Sequence, residues 1–108
     1  MMRGSLVTIA IQGDFGKPRP ALIIQANQFS EHTSMTVLPI TSTLVDAPLL
    51  RITIQPNAKN GLQKPSQVMI DKIMTIRCDK MSSIFGSLQA KQMLEIERCL
   101  AVFLGIVK

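Results

Sequence analysis

The chain contains no tryptophan and no tyrosine, and its only aromatic side chains besides the lone histidine are four phenylalanines. Stacking of a flat ligand on aromatic rings is therefore a small term in anything this protein binds. Cysteine is just as scarce. Cys78 and Cys99 show neither a CxxC nor a Cys/His spacing, so no zinc site rests on them, and both read as free thiols of a reducing compartment. Glu31, Asp46 and Asp79 lack metal-like spacing, and no cofactor is implied. The single histidine, His32, sits in the polar stretch Ser30-Glu31-His32-Thr33-Ser34 and reads as a loop residue, not as an acid–base group. Long apolar runs are missing too: Leu100 to Val107 is less than half of the roughly 20 residues a bilayer crossing needs. The N-terminus passes from Arg3 directly into strand-like sequence without the pattern of a signal peptide, so a cytoplasmic protein with no membrane contact is expected.

Acidic residues are the last shortage. Seven Asp and Glu face twelve Lys and Arg, a formal charge of +5, and nine of the twelve precede Met81. The excess is compatible with a polyanionic partner and places the basic surface on the body of the domain. With 108 residues the chain has room for one domain, residues 1–108, and one modest core.

Short β-like runs fill the first three quarters: Leu6–Ile11, Ala21–Gln25, Met35–Ile40, Leu50–Ile54, Val68–Ile70 and Ile73–Ile76. In Leu50-Arg51-Ile52-Thr53-Ile54 the apolar residues fall at every second position, which marks a half-buried strand. Pro39 inside the third run argues for an edge or a bulge. Beyond Gly86 the period changes, and Met93, Ile96, Leu100, Phe103 and Val107 follow one helical face, with Ser87 as a fair N-cap. Strands followed by one terminal helix predict a mainly β fold, a small strongly curved sheet or barrel.

The most pointed local feature is Lys17-Pro18-Arg19-Pro20. Each proline pushes the residue before it toward extended backbone, so Arg19 is expected on a stiff stem leading into the Ala21 strand. A planar guanidinium held this way suits a phosphate or carboxylate. Read alone, the segment serves equally as a stiffened surface hairpin with a solvated arginine.

Taken in order, Arg3-Gly4, Arg19-Pro20-Ala21-Leu22-Ile23-Ile24-Gln25, Pro39-Ile40-Thr41-Ser42, Lys64-Pro65-Ser66 and Val68-Met69-Ile70-Asp71-Lys72-Ile73-Met74-Thr75-Ile76 resemble the MazF/PemK family of toxin endoribonucleases over nearly the whole chain. The resemblance implies an SH3-like (CcdB/MazF-type) barrel with a C-terminal helix, a homodimer, metal-free cleavage of single-stranded mRNA and a cognate antitoxin. It places the family's catalytic arginine on Arg19 and its catalytic threonine on Thr41. An acidic residue proposed to act in some members falls on Asp71. From the residues alone, Asp71 reads equally as a strand-end acid paired with Lys72 or another surface base. Met74 and Lys72 stand where many relatives have Arg and Gln, Met69 stands where a subgroup has a second arginine, and Gln12–Pro18 lacks the histidine that subgroup carries.

Metal-free RNA cleavage needs a proton taken from the 2′-hydroxyl, a stabilised pentacovalent phosphorane and a protonated 5′-oxygen. Arg19 suits the phosphorane, Thr41 the positioning of the 2′-hydroxyl or phosphate, and Asp71 the part of base. Lys17, Phe15, Ser42, Lys64 and Lys72 are the expected RNA contacts, with Phe29 a second candidate for stacking and Lys59, Arg77 and Lys80 available to track the backbone. Base choice is expected to rest on the loops Gln12–Pro18 and Thr43–Pro48. Two other readings stay open: a CcdB-like gyrase poison, for which Leu104-Gly105-Ile106 lacks the tryptophan of that family's tail, and an SH3-like RNA-binding module that has lost catalysis.

Overall fold

Leu6 and Val7 point to opposite sides of the first strand, β1 (Ser5–Ala10), and both are fully buried, so the central sheet carries core on each of its faces. A computed structural model, which describes residues 2–10 and 17–107, shows how that is achieved. The further strands are β2 (Pro18–Ile23), β3 (Ser34–Thr41), β4 (Arg51–Ile54), β5 (Ser66–Met69), β6 (Met74–Arg77) and β7 (Gly86–Ser87), followed by one helix, α1 (Ala90–Phe103). They form an antiparallel sheet in the order β4-β5-β3-β2-β1-β7, with β6 also paired to β3. One face packs Leu6, Leu22, Leu38, Ile40, Ile52 and Val68 against Met93, Ile96 and Leu100 of α1. The sheet curls over the other face, where Val7, Ile9, Ala21, Ile23, Val37 and Ile76 meet. The result is the small curved sheet with a terminal helix that the sequence pattern implies.

The prolines act differently from the expectation. Pro18, Arg19 and Pro20 are not a stem ahead of the strand but its first half, paired with Ala10, Ile9 and Thr8 of β1. Gly4 N donates to Ile23 O (2.8 Å) and Ile24 N donates to Thr36 O (3.2 Å), so odd-numbered residues of β2 face β1 and even-numbered ones face β3. The N–H groups that Pro18 and Pro20 lack are therefore those that would serve β3. The ladder to β1 stays whole, while pairing to β3 runs only from Ile23↔Val37 to Ala21↔Pro39.

Pro39 lies where β3 changes partners on its other side, from β6 at residues Ser34–Val37 to β5 at Ile40 and Thr41. Its missing N–H falls in the gap between the two ladders and costs neither of them a bond.

The helix is shorter than its apolar pattern. Met93, Ile96 and Leu100 are buried, but Phe103 and Val107, expected on the same face, are 47 % and 55 % exposed. Leu104 caps α1 and Gly105 takes a positive φ of 75°, which turns the tail off the helical path before Val107 can follow that face. Phe103 instead lines an apolar groove of about 430 Å³ with Leu49, Cys99 and Val102. At the other end Gln89, not Ser87, is the N-cap: Gln89 and Gln92 form a reciprocal capping box, and Ser87 pairs with Ser5 in the β7–β1 ladder. Among the described residues no helix is long and apolar enough to cross a membrane.

Candidate active site

The opening left by the two prolines is where two of the candidate residues, Arg19 and Thr41, come into line. Ala21↔Pro39, Leu22↔Leu38 and Ile23↔Val37 set the β2–β3 register, and two further steps of it bring Arg19 into line with Thr41. Thr41 is the last residue of β3 and pairs on its other side with Gln67, which in turn pairs with Thr53 of β4. Directly opposed residues of antiparallel strands project from the same face. Thr41, Gln67 and Thr53 thus form one row across three strands, on the face opposite Ile40, Val68 and Ile52, and the β2–β3 register, extended past its last pair, puts Arg19 in line with it.

Each member of the row is fixed locally. Arg19 is half-buried, its backbone paired with Ile9. Thr41 Oγ1 accepts from Thr43 N (3.1 Å), which fixes the hydroxyl and leaves its proton for another acceptor. Gln67 is 5 % exposed and uses its whole amide: Oε1 accepts from Val45 N (3.1 Å), while Nε2 donates to Val45 O (3.0 Å) and Thr53 Oγ1 (3.1 Å). The loop following Thr41 is thereby pinned back onto β5 and β4.

Asp71 lies four residues along the chain from Gln67, in a 3-10 turn (Ile70–Lys72) after β5, and the described contacts do not join it to Arg19 or Thr41. Its partner is Arg51 of β4, whose Nη1 donates to Asp71 Oδ1 and to Leu50 O (3.1 Å). Of the two readings open for Asp71, a pairing with another base is present in the structure, and the base is Arg51, not Lys72. Burial pulls the Asp71 carboxyl up, but the Arg51 hydrogen bond and charge, helped by Lys72 and the turn's backbone, hold it below its ordinary value.

Around the row, Lys17 and Ser42 are exposed next to Arg19 and Thr41, and Lys64 is exposed two residues before β5 at the same end of the sheet. Lys72 is exposed on the turn beside Asp71. Phe15 and the rest of Ile11–Gly16 lie outside the described residues. Phe29 does not belong here. It sits in the turn Asn27–Phe29 that joins the far ends of β2 and β3, roughly 20 Å from Thr41 along the strand, and stacks edge-on with His32 at 5.8 Å. Arg77 and Lys80 are at that far end as well, with Arg77 paired to Asp79 (2.9 Å). Among the described residues, no three His, Cys, Asp or Glu side chains cluster as metal ligands.

Arg51, Thr53 and Gln67 of this face carry no functional signal in the sequence. The alternation in Leu50–Ile54 already put Arg51 and Thr53 on the polar side of β4, but nothing local tied Arg51 to Asp71, 20 positions away. Gln67 carried no signal, because an isolated glutamine beside a strand has no characteristic spacing.

Comparison with known proteins settles the lineage. Residues 2–104 match the family model described as PemK-like, MazF-like toxin of type II toxin–antitoxin system. The chain belongs to the PemK/MazF toxin family. A relative from Mycolicibacterium smegmatis, a probable endoribonuclease MazF, is 45 % identical over 107 residues, 98 % of each chain. Among solved structures, a mycobacterial endoribonuclease in complex with its cognate antitoxin superposes with a TM-score of 0.84 at 22 % identity, covering 100 % of this chain and 98 % of that one. The Mycobacterium tuberculosis toxin MazF-mt6 superposes at 0.77 with 28 % identity, covering 92 % and 95 %. The curved sheet with a C-terminal helix is thus the fold of MazF toxins.

Proposed function

We propose that this MazF-like toxin endoribonuclease cuts single-stranded RNA by attack of a 2′-hydroxyl on the adjacent phosphate, without a metal, leaving a 2′,3′-cyclic phosphate and a 5′-hydroxyl. The observation that carries this reading is the register that aligns Arg19 with Thr41 across the opening between β2 and β3. In the step, the 2′-oxygen bonds to phosphorus, the bond to the 5′-oxygen breaks, one proton leaves the 2′-hydroxyl and another arrives on the 5′-oxygen from water. Arg19 supplies two N–H donors to the phosphorane, where charge accumulates. Thr41 orients the reacting hydroxyl or phosphate. Asp71 is assigned the 2′-hydroxyl proton; burial pulls its carboxyl up, but the Arg51 hydrogen bond and charge hold it below its ordinary value and make it a weak base, so Arg19 carries more of the rate enhancement.

Lys17, Ser42 and Lys64 surround the row and favour a polyanionic strand there. Phe15 is assigned a stacking contact and Lys72 a backbone contact on the same reasoning. The antitoxin-bound relative supports a cognate antitoxin as partner, and a homodimer would bring two such rows to one surface. Purified protein should cut a long single-stranded RNA in the presence of EDTA, and Arg19→Ala should lower the rate at least about 100-fold. Cleavage that survives Arg19→Ala overturns the assignment, and inhibition of DNA gyrase without RNA cleavage overturns the reading as a nuclease.

A further inference from the structure

Arg51 is the unassigned group on the active face. It projects from β4 on the same side as Thr53, one strand repeat from the row that holds Thr41 and Gln67. Its side chain is only 16 % exposed, so it is not a loose surface charge. Two acceptors, Leu50 O and Asp71 Oδ1, share Nη1, and among the described residues nothing takes a bond from Nε or Nη2. Those two donors lie on one edge of the guanidinium, the pair that grips phosphate in bidentate fashion. The residue directly across the ladder is Met69, which offers no competing acceptor on a charged group. Arg51 also lines an open groove of about 280 Å³ together with Thr53 and Gln67, and Asp46 and Glu95 line it as well.

Resting on the nuclease reading above, we propose that Arg51 is a second RNA-binding guanidinium, held in place by Asp71, that grips a backbone phosphate other than the one Arg19 engages. Arg19 and Arg51 stand on strands three spacings apart and one strand repeat out of line, about 16 Å at the backbone, which suits two different phosphates of one strand better than a shared one. Arg51 thereby supplies from β4 a cation that the sheet does not carry at Met69. Asp71 then has a positioning part in addition to any part in proton transfer: it fixes the guanidinium plane so that the remaining edge faces the groove.

The test uses an RNA carrying a cleavage site mapped with the wild-type protein, with the 2′-hydroxyl of that site replaced by hydrogen so that binding is read without cleavage. Binding is titrated between 50 and 200 mM salt for the wild type, Arg51→Met, Asp71→Asn, Glu95→Gln and the double variant Arg51→Met/Met69→Arg. Arg51→Met should weaken binding several-fold at the lower salt and reduce the salt slope by about 0.7, the value for one lost phosphate contact on a single strand. Glu95→Gln removes negative charge and should bind at least as tightly as wild type, and so should Asp71→Asn, whose amide oxygen keeps the acceptor that orients the guanidinium. The double variant, which moves the guanidinium to the facing position on β5, should regain most of the slope. An unchanged slope in Arg51→Met overturns the proposal and leaves the nuclease reading standing. Equal losses in Arg51→Met and Asp71→Asn would make the pair a structural brace, and weaker binding by Glu95→Gln would put a base's amino group in the groove in place of a phosphate. A wild-type protein that neither binds nor cuts RNA overturns both readings together.

Discussion

Thr41 and Gln67 stand opposite each other at the last step of the β3–β5 ladder, and Gln67 bonds Val45 of the loop that leaves Thr41 through both its amide oxygen and its amide nitrogen, which also donates to Thr53 Oγ1. The polar row therefore includes a buried side chain whose hydrogen bonds are spent within the protein. Gln67→Leu strands both the N–H and the C=O of Val45 and frees the 42–50 segment. We expect a loss of about 2 kcal/mol in urea unfolding and a rise in KM for RNA. An unchanged KM would mean that this loop does not contact the substrate.

Thr41 itself is separable from its frame. Thr41→Ser keeps the hydroxyl that Thr43 N fixes, whereas Thr41→Val keeps the shape and loses the hydroxyl. Cleavage by Thr41→Ser should stay within about fivefold of wild type, and Thr41→Val should fall roughly 100-fold, with melting temperatures that do not explain the difference. Single-turnover rates on one mapped RNA measure this directly.

Asp71 predicts an acid-side stability profile. Its folded carboxyl titrates below the ordinary value of 3.8, so the Arg51–Asp71 pair stabilises fully above that value and the gain is lost as pH falls through the folded one. Wild type should exceed Asp71→Asn in stability at neutral pH by about 1 kcal/mol, since the pair is only partly buried. The difference should shrink in urea unfolding below about pH 4. A gap that persists at pH 2 would assign it to packing.

The loop between β4 and β5 is tied by Asn60, which is fully buried. Its side chain accepts from Asn57 N (3.1 Å) and Leu62 N (3.0 Å) and donates to Gln55 O (2.9 Å). A Cβ on Gly86 would stand 2.2 Å from Asn60 O, so this loop and β7 meet backbone to backbone. Asn60→Ala and Gly86→Ala should each cost about 3 kcal/mol or prevent folding. A mild effect of Gly86→Ala would show that β7 can move away.

Along α1, Ile96 is fully buried against the sheet while Val107 lies beyond the cap. Ile96→Ala should cost about 3 kcal/mol, and Val107→Ala should stay within about 0.5 kcal/mol despite matching the same apolar spacing. Thermal denaturation of the two variants separates helix face from tail.

The first six strands and the helix were legible in the sequence, and motif order singles out Arg19 and Thr41, for different reasons. Strands such as Arg51–Ile54 announce themselves by alternation, and Met93, Ile96 and Leu100 by helical spacing, because burial on one side imposes those periods wherever the element packs. Arg19 and Thr41 stand out only through motif order. Their mutual alignment was not visible, nor was the inclusion of Pro18 and Pro20 in β2, since a strand tolerates proline only when the missing N–H faces no partner. That depends on which neighbour lies on which side.

What the sequence determined by itself was local and periodic: which segments are extended, which face of each is apolar, and that a stiffened guanidinium lies near the start of the second strand. Tertiary structure alone decided the long-range pairings. It joined Arg51 to Asp71 and Gln67 to Val45, carried Phe29 and His32 to the far end of the sheet, and left Phe103 and Val107 outside the core. Each of these outcomes is set by register and by where an element stops, and both emerge only when the whole sheet closes around its core.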